Sequence, residues 1–184
     1  MDKHLKYIVQ RAVLGDHSAL VALIKHEEKN IYTTLFYLKK DLSDINDLVQ
    51  NVLIKLSAKI NQLKNPENFK TWLNQIIIHT YYDHLRKNKY KNKLVSLDSA
   101  KFDMYDDRCD PQNEILFSEL DRIIKNTISS LPSHYKIPIA LREIQGLSYE
   151  DISGVLNTNI GTVKSRISRA RTIVKNKINK YRKS

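Results

Sequence analysis

"GLSYEDISGVLNTNIGTVKSRISRAR", residues 146–171, decides how the C-terminal part of the chain folds. Two helical patterns flank the short connection "NTN". Ser148 followed three positions later by Asp151 resembles a capping box with a shortened acid. Glu150 and Asp151 suit the positive end of a helix dipole. The pattern predicts a helix to about Leu156, with Ile152, Val155 and Leu156 turned inward. Asn159 is placed to cap a second helix. Its apolar stripe runs from Ile160 through Val163 and Ile167 to Ala170 and Val174. Two short helices joined by a tight turn form a helix-turn-helix.

The opposite face of the second helix presents Lys164, Ser165, Ser168 and Arg169. These side chains suit base edges and phosphates in a major groove. A basic helix alone is usually a solvated surface. The capped helix before it and a net charge of +8 over residues 131–184 point toward duplex DNA.

The whole chain has 184 residues and a formal net charge of +11. Its pI is near 9.6. Solubility does not need that excess, so a polyanionic partner is expected. Charge is uneven: net +7 over residues 1–95 and −4 over 96–130, before the second basic block. With four Gly and four Pro, the chain should be mostly helical. Cys109 is the single cysteine, which excludes an internal disulfide and a multi-Cys zinc site. The N-terminus lacks the apolar core of a signal peptide, and no apolar run is long enough to cross a bilayer. A soluble cytoplasmic protein without membrane insertion is expected.

Helices are predicted over 3–14 and 17–38, the second with Leu20, Leu23, Ile24, Ile31, Leu35 and Leu38 on one face. "DLSDINDLVQNVLIKLSAKI" follows. Ser43 or Asp44 can cap it, and Ile45, Leu48, Val49, Val52, Leu56 and Ile60 form its stripe. "NQLKNPENF" reads as a loop, and a long helix with a basic end resumes at Phe69. From Leu94 to Gln112 periodicity fades and acids accumulate, the signature of a linker. Helices return over 113–130 and from Pro132 to Ile144, where Pro138 is expected to kink the helix unless it lies in the first turn.

Residues 69–91 interleave Phe69, Trp72, Tyr81, Tyr82 and Tyr90 with cations. Aromatic faces stack unpaired bases while cations follow the backbone, a pattern suited to single-stranded nucleic acid. Phe69 and Trp72 read better as core anchors. Tyr81 and Tyr82 are open to either role.

Three other functions fit the residues less well. His79 and Asp83 lie four apart on one helix beside His84, a weak metal signature without a third ligand and a base. No His-Glu-x-x-His, Gly-rich phosphate loop or nucleophile elbow occurs, so no catalytic residue, metal or cofactor is expected. A dimeric helix-turn-helix regulator would not need the aromatic-basic block. An adaptor without a DNA role leaves both basic blocks unexplained.

"DLVQNVLIKL", then "FKTWLNQIIIHTYYDHLR", an acidic linker, and "LP…ALREIQGLSYEDISGVLNTNIGTVKSRISRAR" together resemble a bacterial sigma factor of the extracytoplasmic-function (ECF) class, regions 2 and 4. The resemblance covers nearly the whole chain. It implies an all-α protein of two helical domains, 1–93 resembling region 2 and 113–184 resembling region 4, joined by a flexible acidic linker at 94–112. It implies that Asp47, Gln50 and Lys55 dock on the β′ clamp helices of core RNA polymerase, with region 4 seated on the β flap. By the same resemblance Asn61, Gln62, Lys64, Asn65, Asn68, His79, Arg86 and Lys87 hold the −10 element, where a base is flipped from the stack and one strand is opened. Arg142, Thr162, Lys164, Ser165, Ser168, Arg169 and Arg171 would contact the duplex −35 element. The chain departs from many relatives at Ile77 and His79, where they carry a small residue and Asn, and at Ser168, where some carry a larger group. Whether an anti-sigma factor holds the two domains together is left open by the sequence.

Overall fold

The computed structural model describes residues 3–95 and 119–182, the side chains of 89–95 excepted. The elements are α1 (Lys3–Val13), α2 (His17–Leu38), α3 (Ile45–Lys59), two single-turn 3-10 segments (Ile60–Gln62 and Pro66–Asn68) and α4 (Phe69–Val95). After the undescribed stretch come α5 (Glu119–Ser130), α6 (Ser133–Glu143), α7 (Tyr149–Leu156) and α8 (Ile160–Tyr181). Among the described residues every regular element is helical. Residues 96–112 of the expected linker and 113–118 of the helix expected to follow it lie outside the described residues, as does the Tyr90 side chain.

Local chemistry sets the breaks. Gly15 takes a φ of +91°, which bends the chain between α1 and α2. Asp16 then caps α2, accepting from the Ala19 N–H at 3.0 Å and the Ser18 hydroxyl at 2.7 Å. Those bonds hold its carboxyl down to about 2. The expected stripes face inward: Leu23, Ile31, Leu35 and Leu38 of α2 and Ile45, Leu48, Val49, Val52 and Leu56 of α3 are buried.

The start of α3 departs from expectation. Asp44 occupies the N-cap position but its side chain makes no cap hydrogen bond. Its carboxylate instead bridges to Lys39 and lies 3.2 Å from His84 Nε2. Lys39 is buried, so an unpaired ammonium there would be costly, and the tertiary pairing outweighs the local cap. His84 also meets Lys39 at 3.1 Å, which ties the end of α2 to α4. The segment read as a loop is more ordered than expected. Asn65 caps its second turn by accepting from the Glu67 N–H at 3.0 Å, and Glu67 pairs with Lys6 of α1.

Pro138 lies in the second turn of α6, yet the helix continues to Glu143. The helix-turn-helix forms as predicted. Ser148 accepts from the Asp151 N–H at 3.0 Å, and Asp151 accepts from the Ser148 N–H at 3.3 Å. Asn157, at φ 47° and ψ 52°, ends α7 in the left-handed region that Asn tolerates. Asn159 accepts from the Thr162 N–H at 2.8 Å. Val163, Ile167 and Ala170 are buried beneath α8.

The two helical units pack against each other. Thr71 Oγ1 of α4 donates to Asp151 Oδ1 of α7 at 2.9 Å, and Gln75 Nε2 donates to the Gly154 carbonyl at 3.2 Å. Gln145 donates to Asn30 Oδ1 of α2 at 2.9 Å and bonds the Thr34 hydroxyl. Lys125 of α5 sits 5.1 Å from the Phe36 ring centre.

Candidate nucleic-acid interface

Burying Val163, Ile167 and Ala170 turns the rest of α8 outward. Lys164, Ser165, Ser168 and Arg169 form an exposed row, as expected. Ser165 donates to the Thr162 carbonyl at 3.0 Å, which leaves its lone pairs for a donor on a base. Thr162 is half-buried. Arg171 is exposed but engaged: its Nε and Nη2 reach Glu143 Oε1 of α6 at 2.9 and 2.7 Å. Arg142 is half-buried, with Nη1 on the Leu147 carbonyl at 2.7 Å. Arg142 and Lys164 also flank the Tyr149 ring, at 4.8 and 5.7 Å from its centre. The sequence reading missed Tyr149, although its place directly after the Ser148 cap puts it at the mouth of the motif.

The second basic surface lies between α3 and α4. Lys55, Lys59, His79, Tyr82, Asp83 and Arg86 line a cleft of about 560 Å³. Asp83 pairs with Arg86 and accepts from Lys55 at 3.3 Å. Its carboxyl is held below the usual range by Arg86 first, then by Lys55. Lys55 also donates to Thr80 Oγ1 at 3.1 Å, so it turns toward α4. Asp47 and Gln50 instead sit exposed on α3. Ile54 is seven residues after Asp47, two helical turns along the same face. It is 64% exposed. Asn61, Gln62, Lys64, Asn65, Asn68, His79, Arg86 and Lys87 are all exposed. Asn65 has its carbonyl committed to the cap, whereas Asn61, Gln62 and Asn68 border the same turn.

The aromatic block divides. Phe69 is fully buried and Trp72 packs against the core, as read. Tyr81 is 2% exposed, and its hydroxyl donates to the Leu38 carbonyl at 3.0 Å. Burial pushes that phenol up to about 12. Tyr81 is therefore a core residue and cannot stack a base. Tyr82 remains exposed. It shares with His79 a second cleft, about 550 Å³, bounded by His134 and Pro138 of α6, Leu156 of α7 and Arg166 of α8. The metal reading finds no support in geometry: Asp83 and His84 are drawn to different partners, and no group of three His, Cys, Asp or Glu among the described residues is placed to hold a metal.

Two known family descriptions match the chain. Sigma-70 region 2 matches residues 23–90, and Sigma-70, region 4 matches residues 121–173. The ECF RNA polymerase sigma-E factor of Haemophilus influenzae is 35% identical over 178 residues, 93% of this chain and 93% of its own.

The chain belongs to the ECF class of RNA polymerase sigma factors.

This sigma factor is also 30% identical to the sigma-E factor of Escherichia coli K12, over 93% of the chain and 92% of the relative. Its fold is similar to that of CnrH, solved in complex with the cytosolic domain of CnrY, at TM-score 0.66 and 17% identity, covering 95% of this chain and 97% of that one. It is likewise similar to the sigma factor RpoE of Bartonella quintana, solved with the anti-sigma factor NepR, at TM-score 0.67 and 23% identity over 88% and 95%. As a sigma factor the protein recognises promoter DNA for core RNA polymerase at transcription initiation. No helix among the described residues is long and apolar enough to cross a membrane.

Proposed function

We propose that the two basic surfaces divide the promoter: α8 reads the −35 duplex through Lys164, Ser165, Ser168 and Arg169, and the α3–α4 cleft with the 3-10 turns takes the −10 element as it opens. The observation that carries this reading is the pairing of an outward row of cations and hydroxyls on α8 with a separate cationic cleft bordered by exposed amides. Unstacking a base costs a few kcal/mol. Asn61, Gln62 and Asn68 offer donors and acceptors to an extruded base, and Lys64, Arg86 and Lys87 offer charge to the backbone. Asp47, Gln50 and the exposed Ile54 form the face that docks on the polymerase clamp, with region 4 on the β flap. The protein is a non-enzymatic, cytoplasmic specificity subunit, and bond-making belongs to the polymerase.

The packed arrangement cannot serve both elements at once. Their names place them about 25 base pairs apart, roughly 85 Å at 3.4 Å per pair. A compact chain of this length has a radius of gyration of about 16 Å and so spans roughly 40 Å. The helix-turn-helix unit must therefore leave α4 before the promoter is engaged. The closed form is the resting state. Similar folds have been solved with CnrY and with the anti-sigma factor NepR, which supports an anti-sigma protein as the holder of the closed form here.

Replacing Asn61, Gln62 and Asn68 together by Ala tests the −10 assignment. Asn65 stays, because it caps the turn. Permanganate reactivity of promoter thymines in the holoenzyme complex should fall by about tenfold or more, the equivalent of about 1.4 kcal/mol or more of lost base capture. Binding to a −35 duplex should stay unchanged. Equal loss of both would contradict the assignment.

A further inference from the structure

Tyr149 is the first residue of α7, and two residues assigned to the −35 element converge on it. The Arg142 guanidinium from α6 stands 4.8 Å from its ring centre and the Lys164 ammonium from α8 stands 5.7 Å away. Both lie within the roughly 6 Å over which an aromatic quadrupole attracts a cation. Arg171 is held by Glu143 instead, at 2.9 and 2.7 Å. Tyr149 itself is half-buried and packs against the core, so its ring is fixed rather than free to stack on a base.

Two like charges around one ring would otherwise repel, and long side chains would spread over many rotamers. The π system of the shared ring offsets the repulsion and narrows those rotamers. We propose that Tyr149 is a positioning residue for −35 recognition: its ring sets the separation of Arg142 and Lys164, so that α6 and α8 meet the groove with their cations already placed. Arg142 has a second anchor, donating from Nη1 to the Leu147 carbonyl at 2.7 Å. The proposal rests on the reading of α8 as the −35 helix.

Deleting the ring risks the fold, so the test drains its quadrupole at nearly constant shape. Holoenzyme containing the full chain first selects duplexes from a library randomised across the −35 region. Tyr149 is then replaced by Phe and by phenylalanines carrying one, two or three ring fluorines. Tyr149→Phe should bind the selected duplex within about twofold of the unmodified protein. Each fluorine should weaken it further, reaching about five- to tenfold at the third. Affinity for an unrelated duplex should change by less than about twofold, and the unfolding temperature should stay level. A flat series, an equal loss on the unrelated duplex, or a loss already complete at Tyr149→Phe would overturn the proposal. An unmodified holoenzyme that enriches no sequence would overturn the −35 reading, and the proposal with it.

Discussion

Oxidising a Thr71→Cys, Gly154→Cys variant should abolish promoter-dependent transcription, and reduction should restore it. The two positions face each other across the contact between α4 and α7. A Cβ placed on Gly154 would stand 3.9 Å from the Thr71 methyl, in van der Waals contact, so the two thiols need only a small movement of the side chains and the contact to reach the S–S distance of about 2.0 Å. Cys109 is changed to Ser in the same chain, so that only the new pair can form. The bond fixes the closed form, which spans roughly 40 Å, while the two elements lie about 85 Å apart. Polar contacts such as Thr71 to Asp151 and Gln75 to Gly154 suit an interface that opens, because each group can return to water without leaving a buried orphan. Run-off transcription of the oxidised protein with core polymerase should fall to background. Oxidised protein that transcribes as well as reduced protein would show that the closed contact and promoter binding coexist.

The second large effect is expected at Arg169. It projects from α8 on the exposed row, one turn after Ser165 and beside Ser168. A bidentate contact to a guanine contributes about 1–3 kcal/mol of discrimination. Arg169→Ala should therefore weaken binding to the selected −35 duplex by about tenfold to a hundredfold, with a much smaller loss on unrelated sequence. If Arg169 meets only phosphate, the loss will be uniform across sequences and the salt slope will fall by about one. Arg171 makes a useful contrast. Its guanidinium bridges to Glu143, so Arg171→Ala should lower helix-turn-helix stability as well as binding.

Much of this was legible in the chain because its signals are local. Ser148 with Asp151, and Asn159 before Thr162, are caps that a helix start requires wherever it occurs. Val163, Ile167 and Ala170 declare the buried side of α8 through spacing alone. The fate of Tyr81 was also written in the sequence: Phe69, Leu73, Ile77 and Tyr81 recur every four residues, one row along α4, and all four are buried. Reading the aromatics by type instead of by row merged Tyr81 with Tyr82, its neighbour about 100° around the helix. Other features have no local signature. Asp44 gives up its cap for Lys39, just past the end of α2, and for His84 of α4, which lies far along the chain. Glu143 stands 28 residues from the Arg171 it holds. The contacts between the two units combine isolated polar pairs with apolar packing and carry no sequence repeat, so charge and periodicity could suggest two domains but not their packing.

The most direct test of the account is run-off transcription from a genomic library with purified core polymerase and the full-length protein. The account predicts discrete transcripts that depend on the protein, from upstream regions sharing two motifs centred about 25 base pairs apart, a separation of roughly 85 Å along the duplex. Binding to a single duplex operator in the absence of core polymerase, with no new transcript when both are present, would contradict it.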